Sequence, residues 1–124
     1  MPKRRPKHLN LFVIKQPLPA IMSILHRVSG VFLFLFLALF LWMLQESLAT
    51  PESFASLKAC FGHPLVKLLL IGLTWSYLHH LCAGIRHLAF DMHVGGDLRV
   101  ARASSAAVMV VSIALTLVMA VVIW

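Results

Sequence analysis

The chain has 124 residues, 60% of them hydrophobic and only 12% charged, with a mean hydropathy of +0.91. That balance excludes a soluble globular domain, where about 25% of residues are charged, and the length allows one domain, 1–124. The formal net charge of +7 is concentrated outside the apolar runs, so the positive-inside bias of membrane proteins accounts for it better than nucleic acid does, with contact to anionic membrane lipid or an acidic partner as a further expected contribution.

Residues 1–19 are basic and interrupted by prolines, and Lys3, Arg4, Arg5, Lys7 and Lys15 face no acidic residue there. This segment is expected along the cytoplasmic surface. Pro19 suits a first helical turn, so a first span is expected over about 21–44, densest in apolar residues from 28 to 44. A cleavable signal peptide fits poorly despite Ser47-Leu48-Ala49, because the stretch before the apolar run is too long and His26-Arg27 interrupts it. Residues 45–63 read as a loop. Pro64 opens the second span, about 65–90. At ~1.5 Å per residue it is long enough to cross ~30 Å of hydrocarbon. Gly95-Gly96 ends it, and a linker with Asp97, Arg99 and Arg102 leads to the uncharged third span, about 104–124. Cys60 and Cys82 make no disulfide framework. The expected fold is an all-α membrane protein with three transmembrane helices. The Lys and Arg distribution places the N-terminus in the cytoplasm and the C-terminus in the periplasm, with Trp42 and Trp124 at the outer interface.

Ionisable residues inside such spans mark function by default. Wound as a helix, His80, Gly84, His87 and Asp91 fall at steps of four, three and four, on one face. An imidazole above a glycine suits a flat, metal-bearing ligand: the imidazole binds the metal and the missing side chain leaves room for a ring. The stretch reads as a haem site with His80 as the iron ligand. Ser23, His26, Arg27 and Gly30 likewise share a face of the first span. Because the second span runs back, this cluster and the end carrying Arg86, His87 and Asp91 reach the same, cytoplasmic side. His80 lies about seven residues deeper than His87, or ~10 Å. Arg27, His26 and His87 can then neutralise haem propionates through charge-assisted hydrogen bonds. Asp91, last on its face, is the candidate for proton delivery. His79 faces away from the His80–Gly84 line and reads as a packing or interhelical residue. Plainer roles exist for each group. A membrane histidine is often an interhelical hydrogen bonder, Arg27 can snorkel to the interface, and Ser23 can bond its own helix backbone. His8, His63 and His93 read as surface residues. His93 lies thirteen positions after His80, a spacing that can carry two haems on one helix, but it stands beyond Asp91 beside Gly95-Gly96, so no second haem is expected.

Pro19-Ala20-Ile21-Met22-Ser23-Ile24-Leu25-His26-Arg27-Val28-Ser29-Gly30 resembles one signature of the cytochrome b subunit of succinate dehydrogenase. His80-Leu81-Cys82-Ala83-Gly84-Ile85-Arg86-His87-Leu88-Ala89-Phe90-Asp91 resembles the other. The two stand in the right order on the right spans, and the resemblance covers the whole chain. It implies a complex of a flavoprotein subunit, an iron–sulfur subunit and two small membrane anchors. Succinate is oxidised on the flavoprotein, so this chain has no catalytic residue of its own, and electrons reach ubiquinone at the cytoplasmic edge of the membrane. By the same resemblance His80 is an axial ligand of haem b and the second anchor subunit supplies the other. Ser23 and Arg27 border the quinone pocket, and His26 and His87, with Gly84, border the haem. Arg27 would stabilise negative charge on a reduced quinone, and Ser23 would hydrogen-bond a quinone carbonyl. With no mitochondrial transit peptide evident, the bacterial cell inner membrane is the expected location. The rival readings are a fumarate reductase anchor and a haem-free structural anchor or assembly protein.

Overall fold

The computed structural model describes Asn10 and residues 13–124. Lys3, Arg4, Arg5, Lys7 and His8 lie outside the described residues. Among those described, every regular element is helical: α1 (Leu18–Leu35), α2 (Leu37–Ala49), α3 (Pro51–Phe61), α4 (Pro64–Asp91) and α5 (Leu98–Ile123). Three of them, α1, α4 and α5, are long and apolar enough to cross a membrane, as the sequence predicts.

The first span begins at Leu18, with Pro19 in its first turn, where no backbone N–H is required. Only Phe36, at φ −89° and ψ 1°, separates α1 from α2. The Phe36 N–H still donates to the Phe32 carbonyl and the Phe40 N–H to the Phe36 carbonyl, both at 3.0 Å. The helical ladder therefore continues through the break, and the apolar path runs beyond the expected 44 to Ala49.

The loop expected over 45–63 is largely helix. Thr50 and Ser53 cap α3 reciprocally: Thr50 Oγ1 accepts from the Ser53 N–H at 3.0 Å, and Ser53 Oγ accepts from the Thr50 N–H at 3.1 Å. Pro51 follows as the first helical residue, so it starts a helix rather than breaking one. Ser53 Oγ also donates to the Glu46 carbonyl at 2.6 Å, which ties α3 to the end of α2.

α4 has 28 residues, ~42 Å of helix. His63 caps its start, Nδ1 accepting from the Leu65 N–H at 3.3 Å. Its end is a Schellman motif: the Val94 N–H donates to the Ala89 carbonyl at 3.0 Å and the His93 N–H to the Phe90 carbonyl at 2.9 Å, with His93 left-handed at φ 62°. Gly95 then turns the chain at φ +84°, where an added Cβ would lie 3.3 Å from the Phe90 and Val100 side chains. α5 begins at Leu98, six residues before the expected 104, so Arg99 and Arg102 stand in its opening turns rather than in a linker.

α4 is the central helix, packed on one side against α1 and on another against α5. Its buried residues Leu73, Ser76, His79, Ala83 and Arg86 recur at steps of three and four, and those of α5 are Ser105, Val108, Ser112 and Thr116. Small side chains allow close helix approach where lipid gives no hydrophobic driving force. The distribution is inverted relative to a soluble protein: polar groups line the contacts, while Phe34, Leu48, Val121 and Val122 are three-quarters exposed or nearly so.

An imidazole cluster between the first two spans

α1 and α4 are antiparallel where they meet, so the start of α1 lies beside the end of α4. His80 reaches across to α1. Its Nδ1 lies 3.0 Å from the His26 carbonyl oxygen and 3.2 Å from Ser29 Oγ. The Ser29 hydroxyl donates to that same carbonyl at 2.9 Å. The His80 ring stacks on the His26 ring at 4.1 Å between centroids and 14° between planes. His26 in turn meets His87 at 5.0 Å and 45°. Among the described residues no hydrogen bond reaches His80 Nε2.

Two glycines make this approach possible. A Cβ at Gly30 would lie 2.9 Å from His80 Cε1, closer than real side chains come. The bare backbone there forms a cradle for the ring. A Cβ at Gly84 would meet His26 Nε2 at 3.6 Å, an ordinary contact. Gly84 thus sets the approach of α4 to His26, but the tighter position is on the other helix.

The structure therefore brings His26, His80, Gly84 and His87 together. Ser23 is half-buried and Arg27 exposed, one turn apart on α1, while Asp91 is exposed as the last residue of α4. Among the described residues none of these three has a hydrogen bond or ion pair to the cluster. His79 turns the other way. It is 0% exposed, its Nδ1 lies 3.5 Å from Ser112 Oγ on α5, and it stacks on Trp75. Enclosed by its own chain, it is out of reach of any ligand held between this chain and another.

Two residues of the cluster's neighbourhood carry roles that the spacing did not assign. Ser29 is 1% exposed and touches the His80 ring. Arg86 lies inside the second signature yet faces α5: Nε donates to Ser104 Oγ at 3.0 Å, Nη2 to the Ala101 carbonyl at 3.3 Å, and the guanidinium lies 4.4 Å from the Phe90 ring centre. The signal was present, since Arg86 follows His79 by seven residues and so shares its face. A groove of about 530 Å³ lined by Leu33, Phe40, Leu73, Thr74, Tyr77 and Met119 contains no member of the imidazole cluster.

Among the described residues no three His, Cys, Asp or Glu side chains converge to chelate a bare metal ion. His80 instead offers a single nitrogen, which suits a metal whose other positions are filled by a macrocycle. Gly30 seats the His80 ring itself, and the imidazoles of His26 and His87 stand beside it as groups that would border such a ligand.

Residues 1–119 match the family described as succinate dehydrogenase/fumarate reductase transmembrane subunit. The chain belongs to this family. Named relatives agree across nearly their whole length. The succinate dehydrogenase cytochrome b556 subunit of Coxiella burnetii is 39% identical over 113 residues, covering 90% of this chain and 90% of the relative. That of Paracoccus denitrificans is 34% identical over 111 residues, 90% of this chain and 85% of the relative. That of Rickettsia prowazekii is 32% identical over 114 residues, 92% and 89% respectively. The family member described here is a membrane subunit of succinate dehydrogenase, an enzyme complex, and it assembles with the other subunits of that complex.

Proposed function

We propose that this chain holds haem b through His80 and forms one wall of a ubiquinone site through Ser23 and Arg27. The observation that carries the reading is the meeting of both signatures at one end of the α1–α4 pair, where His26 stacks on His80 and touches His87. Relatives named as cytochrome b556 support the haem assignment. His80 would supply one axial nitrogen and the second anchor subunit the other. His26 and His87, with Arg27, would face the propionates, because fixed donors hold carboxylates best through charge-assisted bonds. When bound, haem b offers a one-electron store whose potential the protein sets through ligation and burial.

Reduction of ubiquinone takes two electrons and two protons. Arg27 is exposed on this chain, free to meet a ring oxygen that gains negative charge, and a preorganised cation acts strongly in a site that excludes water. Ser23, one turn away, would donate to a quinone carbonyl and orient the ring. Asp91 would deliver protons from the aqueous edge. Electrons would arrive from the iron–sulfur subunit, with succinate oxidised on the flavoprotein. The basic N-terminal stretch favours the cytoplasmic side for this end of the bundle, with the C-terminus periplasmic in a bacterial inner membrane.

The test is a pair of assays on one preparation of the complex. Quinone reduction should fall in Ser23→Ala and fall further in Arg27→Leu, since a bond to a neutral partner contributes ~1 kcal/mol and one to a charged partner ~1.5–3 kcal/mol. Succinate oxidation with a soluble artificial acceptor should be preserved in both. Loss of both activities together would make the residues structural, and loss of neither would put the quinone elsewhere.

A further inference from the structure

We infer that Ser29 and the main-chain carbonyl of His26 are positioning groups that fix the Nδ1–H tautomer and the ring plane of His80, so that Nε2 is the nitrogen presented to iron. This rests on the haem reading above and adds to it which atom binds and what holds it.

A carbonyl oxygen has no proton to give, so at 3.0 Å from the His26 oxygen the hydrogen must be on His80 Nδ1. The Ser29 hydroxyl spends its own hydrogen on the same carbonyl at 2.9 Å. Its oxygen, 3.2 Å from Nδ1, therefore faces the ring with lone pairs. Both neighbours of Nδ1 accept and neither donates. A neutral imidazole carries one N–H, so Nε2 keeps its in-plane lone pair, and among the described residues nothing else uses it. Two acceptors on one N–H also restrict rotation of the ring about its bond to Cβ. Stacking on His26 at 14° and the bare backbone of Gly30 at Cε1 hold the plane from two further directions. His79 stacks on Trp75 but lacks the paired acceptors at Nδ1: its one contact to a hydroxyl is 3.5 Å long and its Nε2 is enclosed without a partner.

A metal-bound histidine that donates its second N–H to an acceptor becomes a more basic ligand. A more basic ligand favours the ferric state. Removing Ser29 Oγ leaves one acceptor where there were two, so the ferric state should lose ground and the ring plane should gain freedom.

The experiment uses the complete membrane complex carrying Ser29→Ala or Ser29→Thr, followed by redox titration and by the low-field EPR signal of ferric low-spin haem, which responds to the orientation of the axial imidazoles. In Ser29→Ala the haem should remain low-spin, the EPR signal should shift, and the ferrous-to-ferric ratio at a fixed potential should rise about threefold to tenfold, tenfold corresponding to about 59 mV for one electron. Ser29→Thr, which keeps the hydroxyl, should restore both readouts. Unchanged potential and EPR in Ser29→Ala would overturn the inference. So would equal changes in both variants, or loss of the anchor from the membrane in both, because each outcome would assign Ser29 to packing. His80→Leu in the same series separates the two levels. If it keeps its haem, the haem reading itself falls; if it loses haem while Ser29→Ala is unaltered, only the positioning role falls.

Discussion

Gly30 and Gly84 both face an imidazole across the α1–α4 contact, but with different room to spare. At Gly30 a methyl group would intrude on a His80 ring that is already held by stacking and by two acceptors at Nδ1. Such overpacking costs roughly 1–3 kcal/mol when nothing can move aside. Gly30→Ala should therefore lower the haem content of the purified complex several-fold while the subunits still assemble. Haem content per flavin is the measurement, and full occupancy with an unshifted spectrum would show that the ring has freedom the structure does not suggest. That His80, Gly84 and His87 share one face was legible from their spacing, because helical periodicity places residues on faces without any knowledge of partners. Ser29 was not, because its part depends on where the His80 ring points, and that is set by a helix fifty residues away in sequence.

At the scale of the helices, α4 is held by two different kinds of contact. Its α1 side carries the imidazole cluster, whereas its α5 side carries the buried Arg86, bonded to Ser104 and Ala101 and lying over Phe90. Bonds from a charged donor contribute about 1.5–3 kcal/mol, so Arg86→Met should lower the thermal stability of the complex by a comparable amount. The haem spectrum should stay the same, because Arg86 faces away from α1. A lost spectrum with unchanged stability would instead make Arg86 part of the haem pocket. Existence and type of the three spans were legible from apolar run length alone. Their ends were less so. Pro51 and Thr50 were read as loop residues, yet together they form a helix start, since a capping threonine followed by proline at the first position is one of the stable ways to begin a helix. The third span also began earlier than its charge-free stretch, because Arg99 and Arg102 are tolerated in the opening turns of α5.

Taken whole, the molecule keeps polar side chains between its helices and apolar ones on its surface, as a subunit surrounded by lipid and membrane partners requires. Among the described residues, the clustered imidazoles are not arranged to bind both faces of a haem: His26 is stacked directly on His80 and His87 is on the same helix face, so neither can oppose His80 across a ring. On the proposed reading the chain would offer half of a haem site, and a second subunit would complete it. On that reading His80, and not its neighbour His79, supplies this half. The direct measurement is the reduced optical spectrum of the assembled complex carrying His80→Leu beside that carrying His79→Leu. His80→Leu should lose the low-spin bis-histidine spectrum, and His79→Leu, which alters only the α4–α5 contact, should retain it. A low-spin spectrum intact in His80→Leu, or lost only in His79→Leu, would rule out His80 as the ligand.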